Sequence, residues 1–377
     1  MAFTAILPRE KLEKGTIRSV ARLAMDTFGF SSQRERRYRE DTLLLNRLEH
    51  GLAQLRNEKG VFVAALSDDY KACWMRDQLY ANFAYYFLND TKKFKAGIRV
   101  VFEMLLNVQP KIEKAICYPP REANNFIHAK YEALTLREFS YGWGHHQIDA
   151  LGLFLFMVGF AEEKGIRVIL NQDDRDMIQL LVSYLTSVRY WELPDNGMWE
   201  EKMELHASSI GSAVSGLEKI KAQGLAMVPY ELIYHGKVAL FSLLPNETRE
   251  RDRDMAQLSL IWPYNVIPQE IADIVLKRIT QGLIQPLGIN RYLGDNYYRS
   301  DNGVSAEWTM GFFWLAIIYA DRGEREEAKK WFERGVHTLT AEGYLPELYQ
   351  NGRPNKNTPL GWAHSLALIA QKKIERA

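Results

Sequence analysis

The chain has 377 residues, of which 47% are apolar and 25% charged, a balance typical of a folded globular protein and not of a disordered one. Its 48 lysines and arginines nearly cancel its 47 aspartates and glutamates. A net charge of +1 lacks the concentrated positive charge that nucleic-acid binding needs, so we expect no nucleic-acid partner.

We expect neither secretion nor a membrane span. The first residues, MAFTAILPREKLEKG, are interrupted by proline and charge before an apolar run of signal-peptide length develops. The longest apolar run, around Met310 to Ala320, is just over half of the roughly 18–20 residues that a span requires. Two cysteines, Cys73 and Cys117, cannot form a disulfide framework, which favours a reducing compartment. We therefore predict a cytoplasmic protein, and the sequence leaves its oligomeric state open.

Apolar residues recur at helical spacing along most of the chain, so we predict an all-α fold. Strand-like runs are few and short: VFVAAL begins at Val61 and ALFSLL at Ala239. No fixed-period repeat, Pro/Ser/Gly-rich linker or block of charge divides the sequence. We predict a single domain over residues 1–377, with residues 1–35 as an N-terminal extension packing on it. The predicted helices cover residues 36–56, 76–87, 91–106, 146–164, 173–188, 208–222, 268–282, 306–321, 325–339 and 359–373.

About a dozen helices in one domain suit two concentric rings, a toroid of inner and outer helices, although an irregular bundle fits the pattern equally. Aromatic side chains make up 12% of the residues. Flat rings in excess are typical of sites for sugars, but core packing alone also explains them. The choice of architecture and function therefore depends on local motifs.

The first motif lies at a predicted helix start. Tyr70 and Trp74 precede Arg76 and Asp77 in the segment YKACWMRD. Arginine beside aspartate offers fixed donors and acceptors of the kind that hydroxyl groups need. A plain helix N-terminus, with aspartate favourable to the helix dipole, explains the segment as well.

Trp143 opens a second segment, WGHHQID, which also carries Gln147 and Asp149. The adjacent histidines His145 and His146 suggest zinc, but neighbouring residues on a helix point about 100° apart. Because no HExxH spacing is present, we predict no metal and a structural role for the histidines. The tryptophan, glutamine and aspartate are more typical of ligand contacts.

In a third segment, Trp199 is followed by two carboxylates, Glu200 and Glu201. An indole that excludes water from a carboxyl group raises its pKa, and this keeps a general acid protonated near neutral pH. In isolation, a solvated acidic helix start explains the segment equally well.

Two later segments supply a second carboxylate. Arg291 and Tyr292 stand in GINRY, with Trp308 further on, and Glu347 stands in LPELY. Glycoside hydrolysis commonly uses two carboxylates, about 6.5–9.5 Å apart when a water must fit between them and the product is inverted. Glu347 is therefore the candidate partner of Glu200.

Taken in order, the five segments resemble the motifs of glycoside hydrolase family 15, the glucoamylase and glucodextranase group. They are equally similar to the related domain of the phosphorylase kinase α and β subunits. The resemblance covers nearly the whole chain from about Leu45 and implies an (α/α)6 barrel, a six-hairpin toroid. It further implies an α-glucan or oligosaccharide substrate, with no cofactor and no metal.

The resemblance also implies a role for each matching residue. Glu200 matches the general acid that protonates the glycosidic oxygen, and Glu347 matches the general base that activates water. Tyr70, Arg76 and Asp77 match the segment that holds the terminal glucose. The complete set of expected substrate-binding residues is Tyr70, Trp74, Arg76, Asp77, Trp143, Gln147, Asp149, Trp199, Glu201, Arg291, Tyr292 and Trp308.

Some segments are closer to the kinase domain than to secreted glucoamylases: NGMWEE with ELHASSIGSAVSGLE, AEWTMGFFW, and LPELYQNGRPNKNTPLGWAHSL. Two hypotheses follow, an inverting exo-acting hydrolase that releases glucose and a non-hydrolytic, sugar-binding regulatory domain. A third is a phosphorylase, epimerase or lyase on the same toroid. Glu347 weakens the phosphorylase case, since phosphate would replace water and no carboxylate base would be needed. As a free-standing domain, the chain fits an intracellular enzyme better than a kinase subunit.

Overall fold

A computed structural model of the protein describes residues 41–377. The chain divides into two compact units, Met1–Arg47 and Leu48–Ala377, and the barrel described below belongs to the second. The expected packing of residues 1–35 on the barrel lies outside the described residues. The single domain over residues 1–377 stays a prediction.

Helices dominate the described part of the chain, and short strands join some of the loops. The helices are α1 (residues 41–53), α2 (Met75–Phe87), α3 (Thr91–Asn107), α4 (Gln109–Cys117), α5 (Ile148–Glu163), α6 (Gln172–Ser187), α7 (Ala207–Ala222), α8 (Tyr230–Leu243), α9 (Leu258–Ile261), α10 (Gln269–Gly282), α11 (Met310–Asp321), α12 (Arg325–Val336) and α13 (Gly361–Arg376). The strands are β1 (Ala72–Trp74), β2 (Lys130–Glu132), β3 (Glu307–Trp308), β4 (Leu348–Gln350) and β5 (Arg353–Pro354).

Six helices of the unit Leu48–Ala377 form a closed inner ring. α2 packs on α5, α5 on α7, α7 on α9, α9 on α11, α11 on α13, and α13 again on α2. An outer helix covers several of them: α3 lies on α2, α8 on α7, α10 on α9 and α12 on α11. This alternation along the chain confirms the predicted all-α fold and the (α/α)6 toroid.

Burial follows the two layers. In the inner helix α11, all residues except Tyr319 and Asp321 are buried, so the helix is apolar on every side. The outer helix α12 buries only Ala328, Trp331 and Gly335 and leaves its charged side in water, as expected of an amphipathic helix. Among residues 41–377, no helix combines the length and apolar character needed to cross a bilayer.

Glycine brings two inner helices unusually close together. A Cβ on Gly152 of α5 would lie 2.5 Å from the backbone carbon of Ser212 in α7, and one on Gly216 would lie 2.5 Å from the carbonyl oxygen of Gly152. No side chain fits at such distances, so the absence of a Cβ at both positions sets the spacing between α5 and α7.

Two β-sheets tie loops together at the ends of inner helices. β1 pairs antiparallel with β2, and β4 lies between β3 and β5. Trp308 of β3 is opposite Leu348 of β4, so the segment before α11 lies beside the segment before α13. This pairing places Glu347, which directly precedes β4, at the same end of the barrel as Trp308.

The predicted strands were wrong. The segment at Val61 forms only one isolated bridge, between Arg56 and Phe62, and the segment at Ala239 lies inside α8. A six-residue apolar run does not distinguish a strand from part of a buried helix. The helices α4, α8 and α9 were not predicted.

Candidate active site

A cavity of about 370 Å³ lies where inner helices begin, a volume within the range of small-molecule sites (about 300–1,000 Å³). Arg76 and Asp77 in the first turn of α2, Met310 at the start of α11, and Trp362 at the start of α13 all line it. The N-terminal end of a helix carries partial positive charge, which favours anionic groups at this end of the barrel. The predicted site residues that line the cavity are Glu200, Glu347, Tyr70, Trp74, Arg76, Asp77, Trp143, Trp199, Glu201, Arg291 and Trp308.

Three predicted residues, Gln147, Asp149 and Tyr292, are not part of the lining but contact residues that are. Arg76 Nη1 donates to Asp149 Oδ2 at 2.8 Å and to Gln147 Oε1 at 3.1 Å. Asp149 and Gln147 therefore orient the Arg76 guanidinium from behind. Tyr292 donates to Glu201 in the same way.

Arg76 joins two of the predicted motifs. Its Nη2 donates to Glu200 Oε1 at 3.1 Å while Nη1 is held by Asp149. Only 3% of Arg76 is exposed. A fully charged guanidinium is tolerated there because two carboxylates surround it.

The turn that carries Glu200 has a strained backbone. Glu200 has a φ of +63°, in the left-handed region that non-glycine residues rarely adopt. Gly197, three positions earlier, has a φ of +62°, and a Cβ there would lie 2.7 Å from His206 Nε2. A bridge between Asp195 and Glu204 closes the turn. Backbone strain of this kind occurs where a side chain must be held in one direction, and here the Glu200 side chain is directed at the cavity.

The environment of Glu200 favours its protonated form. Burial raises the pKa of Glu200, the charges of Arg76 and Lys130 lower it, and the charge of Asp77 raises it, so that the net pKa is about 7. The side chain is 24% exposed and reaches the cavity. Glu200 can therefore carry a proton at neutral pH and deliver it to a ligand.

The second carboxylate, Glu347, is 2% exposed and held by three side-chain donors. Tyr70 donates its hydroxyl hydrogen to Oε1 at 2.7 Å, while the amides of Asn355 and Asn357 each donate to Oε2 at 2.6 Å. Burial raises the pKa of Glu347, and these hydrogen bonds and the charge of Arg291 oppose the rise. The donors favour the ionised form and fix its orientation.

Asp77 interacts electrostatically with both of the candidate catalytic carboxyl groups, Glu200 and Glu347. Burial raises its pKa to about 6, the Arg76 charge lowers it, and the charge of Glu347 raises it. Because Asp77 interacts with Glu347 and Glu200 alike, the acidic groups of the cavity titrate as a connected set.

Glu201 is bound on both of its oxygens. Arg291 Nη2 donates to Oε1 at 2.9 Å, Arg251 Nη2 donates to Oε2 at 3.1 Å, and the Tyr292 hydroxyl lies 2.8 Å from each. Arg291 is itself fixed by Asp295 Oδ1 at 2.6 Å. Glu201 is therefore held in one orientation, in which it can accept hydrogen bonds from hydroxyl groups.

Aromatic rings form much of the remaining wall. Trp199 is anchored by its Nε1, which donates to Asp254 Oδ1 at 2.8 Å, and its ring lies 5.7 Å from Trp308 and 6.3 Å from Trp362. On the other side, Trp74 and Trp143 meet edge to face at 6.3 Å. Such faces suit the apolar side of a sugar ring.

Several residues of the site were missed by the motif analysis, among them four with charged or amide side chains. Lys130 lines the cavity and lies 4.3 Å above the ring of Trp74. Arg251 stands in the run RERDRD, which is typical of a solvated surface, and Asn355 and Asn357 stand in a polar loop, NGRPNKN. Only the asparagine-rich loop close after Glu347 gave a signal that could have been noticed.

The histidine pair of the second motif packs in the wall. His145 stacks on His128 with ring centroids 3.5 Å apart, and His146 stacks on Phe126 at 4.0 Å. Burial lowers the pKa of His146 to about 3, so its ring is neutral at neutral pH. The rings are arranged as a packed stack, in keeping with a structural role.

A ring of six inner helices with a carboxylate-lined, aromatic-walled cavity at their N-terminal ends defines a glucoamylase-like (α/α)6 barrel. Residues 38–224 match the family described as Glycosyl hydrolases family 15, so the resemblance to this family is confirmed.

Solved structures share this fold, and curated proteins match the sequence. A protein titled Glycosidase (wild type) superimposes with a TM-score of 0.76 and 19% identity over 89% of this chain and 98% of its own. Glucoamylase from Saccharomycopsis fibuligera superimposes with a TM-score of 0.60 and 14% identity over 89% of this chain and 95% of its own. Phosphorylase b kinase regulatory subunit alpha, liver isoform, from Mus musculus is 26% identical over 82% of this chain but 31% of its own length. The chain thus spans about a third of the curated relatives it matches.

Proposed function

We propose that the protein is an inverting, exo-acting glycoside hydrolase that releases glucose from α-glucans or short α-gluco-oligosaccharides. The observation that carries the proposal is that Glu200 and Glu347 line one cavity but differ in the hydrogen bonds that their carboxyl groups accept. One carboxyl has a pKa near 7, and the other is surrounded by hydrogen-bond donors. When two carboxyl groups of one site have different environments, the difference allows one to be assigned as the acid and the other as the base.

Glu200 is the proposed general acid. Its proton passes to the glycosidic oxygen as the bond to the anomeric carbon breaks, and the leaving sugar departs as a neutral alcohol. Arg76, within hydrogen-bond distance of Glu200, is oriented by Asp149 and keeps the carboxyl group in place. After proton transfer the guanidinium also stabilises the carboxylate that forms.

Glu347 is the proposed general base. An ionised carboxylate has about four acceptor sites. Tyr70, Asn355 and Asn357 occupy three of them, which leaves one, on Oε1, for a water molecule. That water gives a proton to Glu347 and attacks the anomeric carbon opposite the leaving group, so the configuration inverts.

The remaining predicted residues bind the sugar in this proposal. Asp77 and Arg76 contact the terminal glucose, as the family resemblance implies. Glu201 accepts hydrogen bonds from hydroxyl groups of the first sugars, and Arg291 donates hydrogen bonds to such groups. Trp143 and Trp199, with Trp74, Trp308 and Tyr70, complete the walls. Gln147 and Asp149 act from behind the walls by orienting Arg76, and Tyr292 does so by orienting Glu201. The chemistry uses neither a metal nor a cofactor.

Substitution of each carboxyl group tests this proposal. We expect Glu200→Gln and Glu347→Gln to lower kcat on maltose or maltotriose by at least about 10²-fold, while a sugar ligand still binds by calorimetry. Glu342→Gln, an exposed glutamate five positions before Glu347, is the matched control and should keep full activity. Unchanged hydrolysis in both active-site variants would rule the assignment out.

A second candidate is a sugar-binding regulatory domain without turnover. It is favoured by the relatives, whose name describes regulatory subunits of a kinase. Saturable binding of maltose, with glucose release no higher than that of Glu347→Gln, would support this alternative. Maltose, maltotriose, isomaltose and trehalose together would also identify the linkage.

A further inference from the structure

The outer helix α8 exposes a stripe of large apolar side chains. Tyr230, Tyr234, Val238 and Phe241 follow at spacings of four, four and three residues, so they share one face of the helix. Met227 extends this stripe just before the helix starts. The five side chains, hereafter the α8 stripe, are between 42% and 80% exposed. Exposed apolar groups aligned in this way are unusual on the surface of a monomer.

The opposite face of α8 is tightly packed against the barrel. This face buries Leu232, Gly236 and Leu240, and a Cβ on Gly236 would overlap the Tyr190 hydroxyl. That hydroxyl donates to the Leu232 carbonyl oxygen at 3.0 Å. The α8 stripe is therefore held outward by the packing beneath it and cannot rotate inward.

We propose that the α8 stripe is the interface of a homodimer in which two copies of α8 pack antiparallel about a two-fold axis at Tyr234. A two-fold interface requires one patch to match itself. In such a pair, residues equally far before and after the axis lie at the same height. Tyr230 and Val238 are each four positions from Tyr234, so Tyr230 of one copy meets Val238 of the second and the two Tyr234 side chains meet on the axis. Phe241 lies toward the segment before the helix of the second copy, which carries Met227.

The charges beside the stripe fit the same arrangement. In an antiparallel pair each flank of the helix faces the same flank of the second copy. Glu231 and His235, both exposed, share one flank, so the carboxylate of one copy lies beside the imidazole of the other. On the opposite flank Lys237 is already neutralised by Glu218 Oε1 at 2.6 Å.

The size of the patch sets the expected strength. With aromatic side chains of about 150–250 Å² each, the α8 stripe offers roughly 500 Å² per copy. A stable interface of standard size buries about 800 Å² per partner, so the stripe supplies more than half and adjoining surface must add the rest. Because the apolar part of the interface is smaller than this standard, we expect a weak, reversible dimer that dissociates on dilution.

Sedimentation velocity over a micromolar to submillimolar concentration series tests the proposal. The full chain should shift from monomer to dimer, and Tyr234→Arg, which places two guanidinium groups against each other on the axis, should raise the dissociation constant at least about tenfold. Tyr118→Arg, which changes an exposed tyrosine outside the stripe, is the matched control and should associate like the wild type. A protein that stays monomeric throughout, or a Tyr234→Arg variant that still dimerises normally, overturns the proposal.

Engineered cysteines test the geometry in a Cys117→Ser background, which removes the exposed thiol. Tyr234→Cys should form an intermolecular disulfide on oxidation, because its two copies meet on the axis. Tyr230→Cys alone should not, since its two copies lie about 12 Å apart along the helices, but it should link to Val238→Cys when the variants are mixed. Efficient linkage of Tyr230→Cys to itself would indicate parallel helices and contradict the proposed pair.

The outcome is independent of the hydrolase proposal. No residue of α8 lines the described cavity, so Tyr234→Arg should keep the kcat of the wild type on maltose. Loss of the dimer with unchanged sugar chemistry would support the interface alone, whatever the site does.

Discussion

Glu200 and Glu347 are the same side chain in two settings, and the difference lies in what surrounds their oxygens. Glu347 accepts three hydrogen bonds from neutral side chains, all of which favour its ionised form. Glu200 accepts from Arg76 alone among the described side chains and sits in a strained turn at the cavity. Burial acts on both, but only at Glu347 do several neutral donors oppose it.

The pH dependence of catalysis follows from the pKa of Glu200. Because the proposed acid must be protonated, kcat/KM should fall as the pH rises through about 7. The Lys130 charge lowers the pKa of Glu200, so Lys130→Met should move this alkaline limb to higher pH, by up to about 1 unit. A pH profile of kcat/KM measures the shift, with the exposed Lys59→Met as control. A limb that stays in place or moves to lower pH would refute the role of Glu200.

A buried histidine beneath the Glu200 turn makes folding pH-dependent. Burial disfavours protonation of His206, but the Glu247 hydrogen bond and the charges of Asp195 and Glu247 outweigh it and raise the pKa to about 9; Arg251 acts against them. A raised histidine pKa stabilises the fold fully below the unfolded pKa of 6.5, and this stabilisation is lost as the pH rises through about 9.

Urea unfolding at pH 6 and pH 9.5 measures this effect. The free energy of unfolding should be lower at pH 9.5 by roughly 1–3 kcal/mol more in the wild type than in His206→Gln, which does not titrate. An equal pH dependence in the two proteins would show that His206 does not carry a proton in the folded state.

At the scale of elements, most helices could be predicted because periodic apolar residues and capping groups are local signals. α2 and α3 start and end within one residue of the predicted bounds. α8 could not be predicted, since its outward face is as apolar as its buried one and the helical period is masked. The spacing of α5 and α7 was equally hidden, because a glycine reveals a close approach only once its neighbour is known.

That close approach yields a further prediction. Gly152→Ala places a Cβ 2.5 Å from the backbone of Ser212 and Ala213, and backbone atoms of a packed helix cannot move aside as a flexible side chain can. We expect a loss of about 1–3 kcal/mol in the free energy of unfolding, measured by urea titration. The control is Gly142→Ala, because nothing lies within 4 Å of a Cβ at this position. It should lower the free energy of unfolding far less than Gly152→Ala. Gly165→Ala is not a suitable control, because Gly165 has a φ of +72°.

At the scale of the molecule, closure of the inner ring assembles the site. Residues as far apart in sequence as Tyr70 and Glu347 are in hydrogen-bond contact because α13 packs back onto α2. Ordered motifs and family resemblance allowed the candidate residues to be named, although periodicity alone left toroid and bundle equally open. Arg251 and Lys130 could not be predicted, since their contacts depend on loop paths that no local pattern encodes, whereas Asn355 stands in the asparagine-rich loop that carried a local signal.

The stereochemistry of glucose release tests the central claim most directly. Fresh protein is mixed with maltose or maltotriose, and the anomeric protons are followed by NMR before mutarotation equilibrates the product. If Glu200 protonates the leaving oxygen while Glu347 activates water from the opposite face, β-glucose appears first, and Glu347→Gln releases none above background. Initial release of α-glucose, or no release beyond that of Glu347→Gln from any α-linked substrate, would contradict the account.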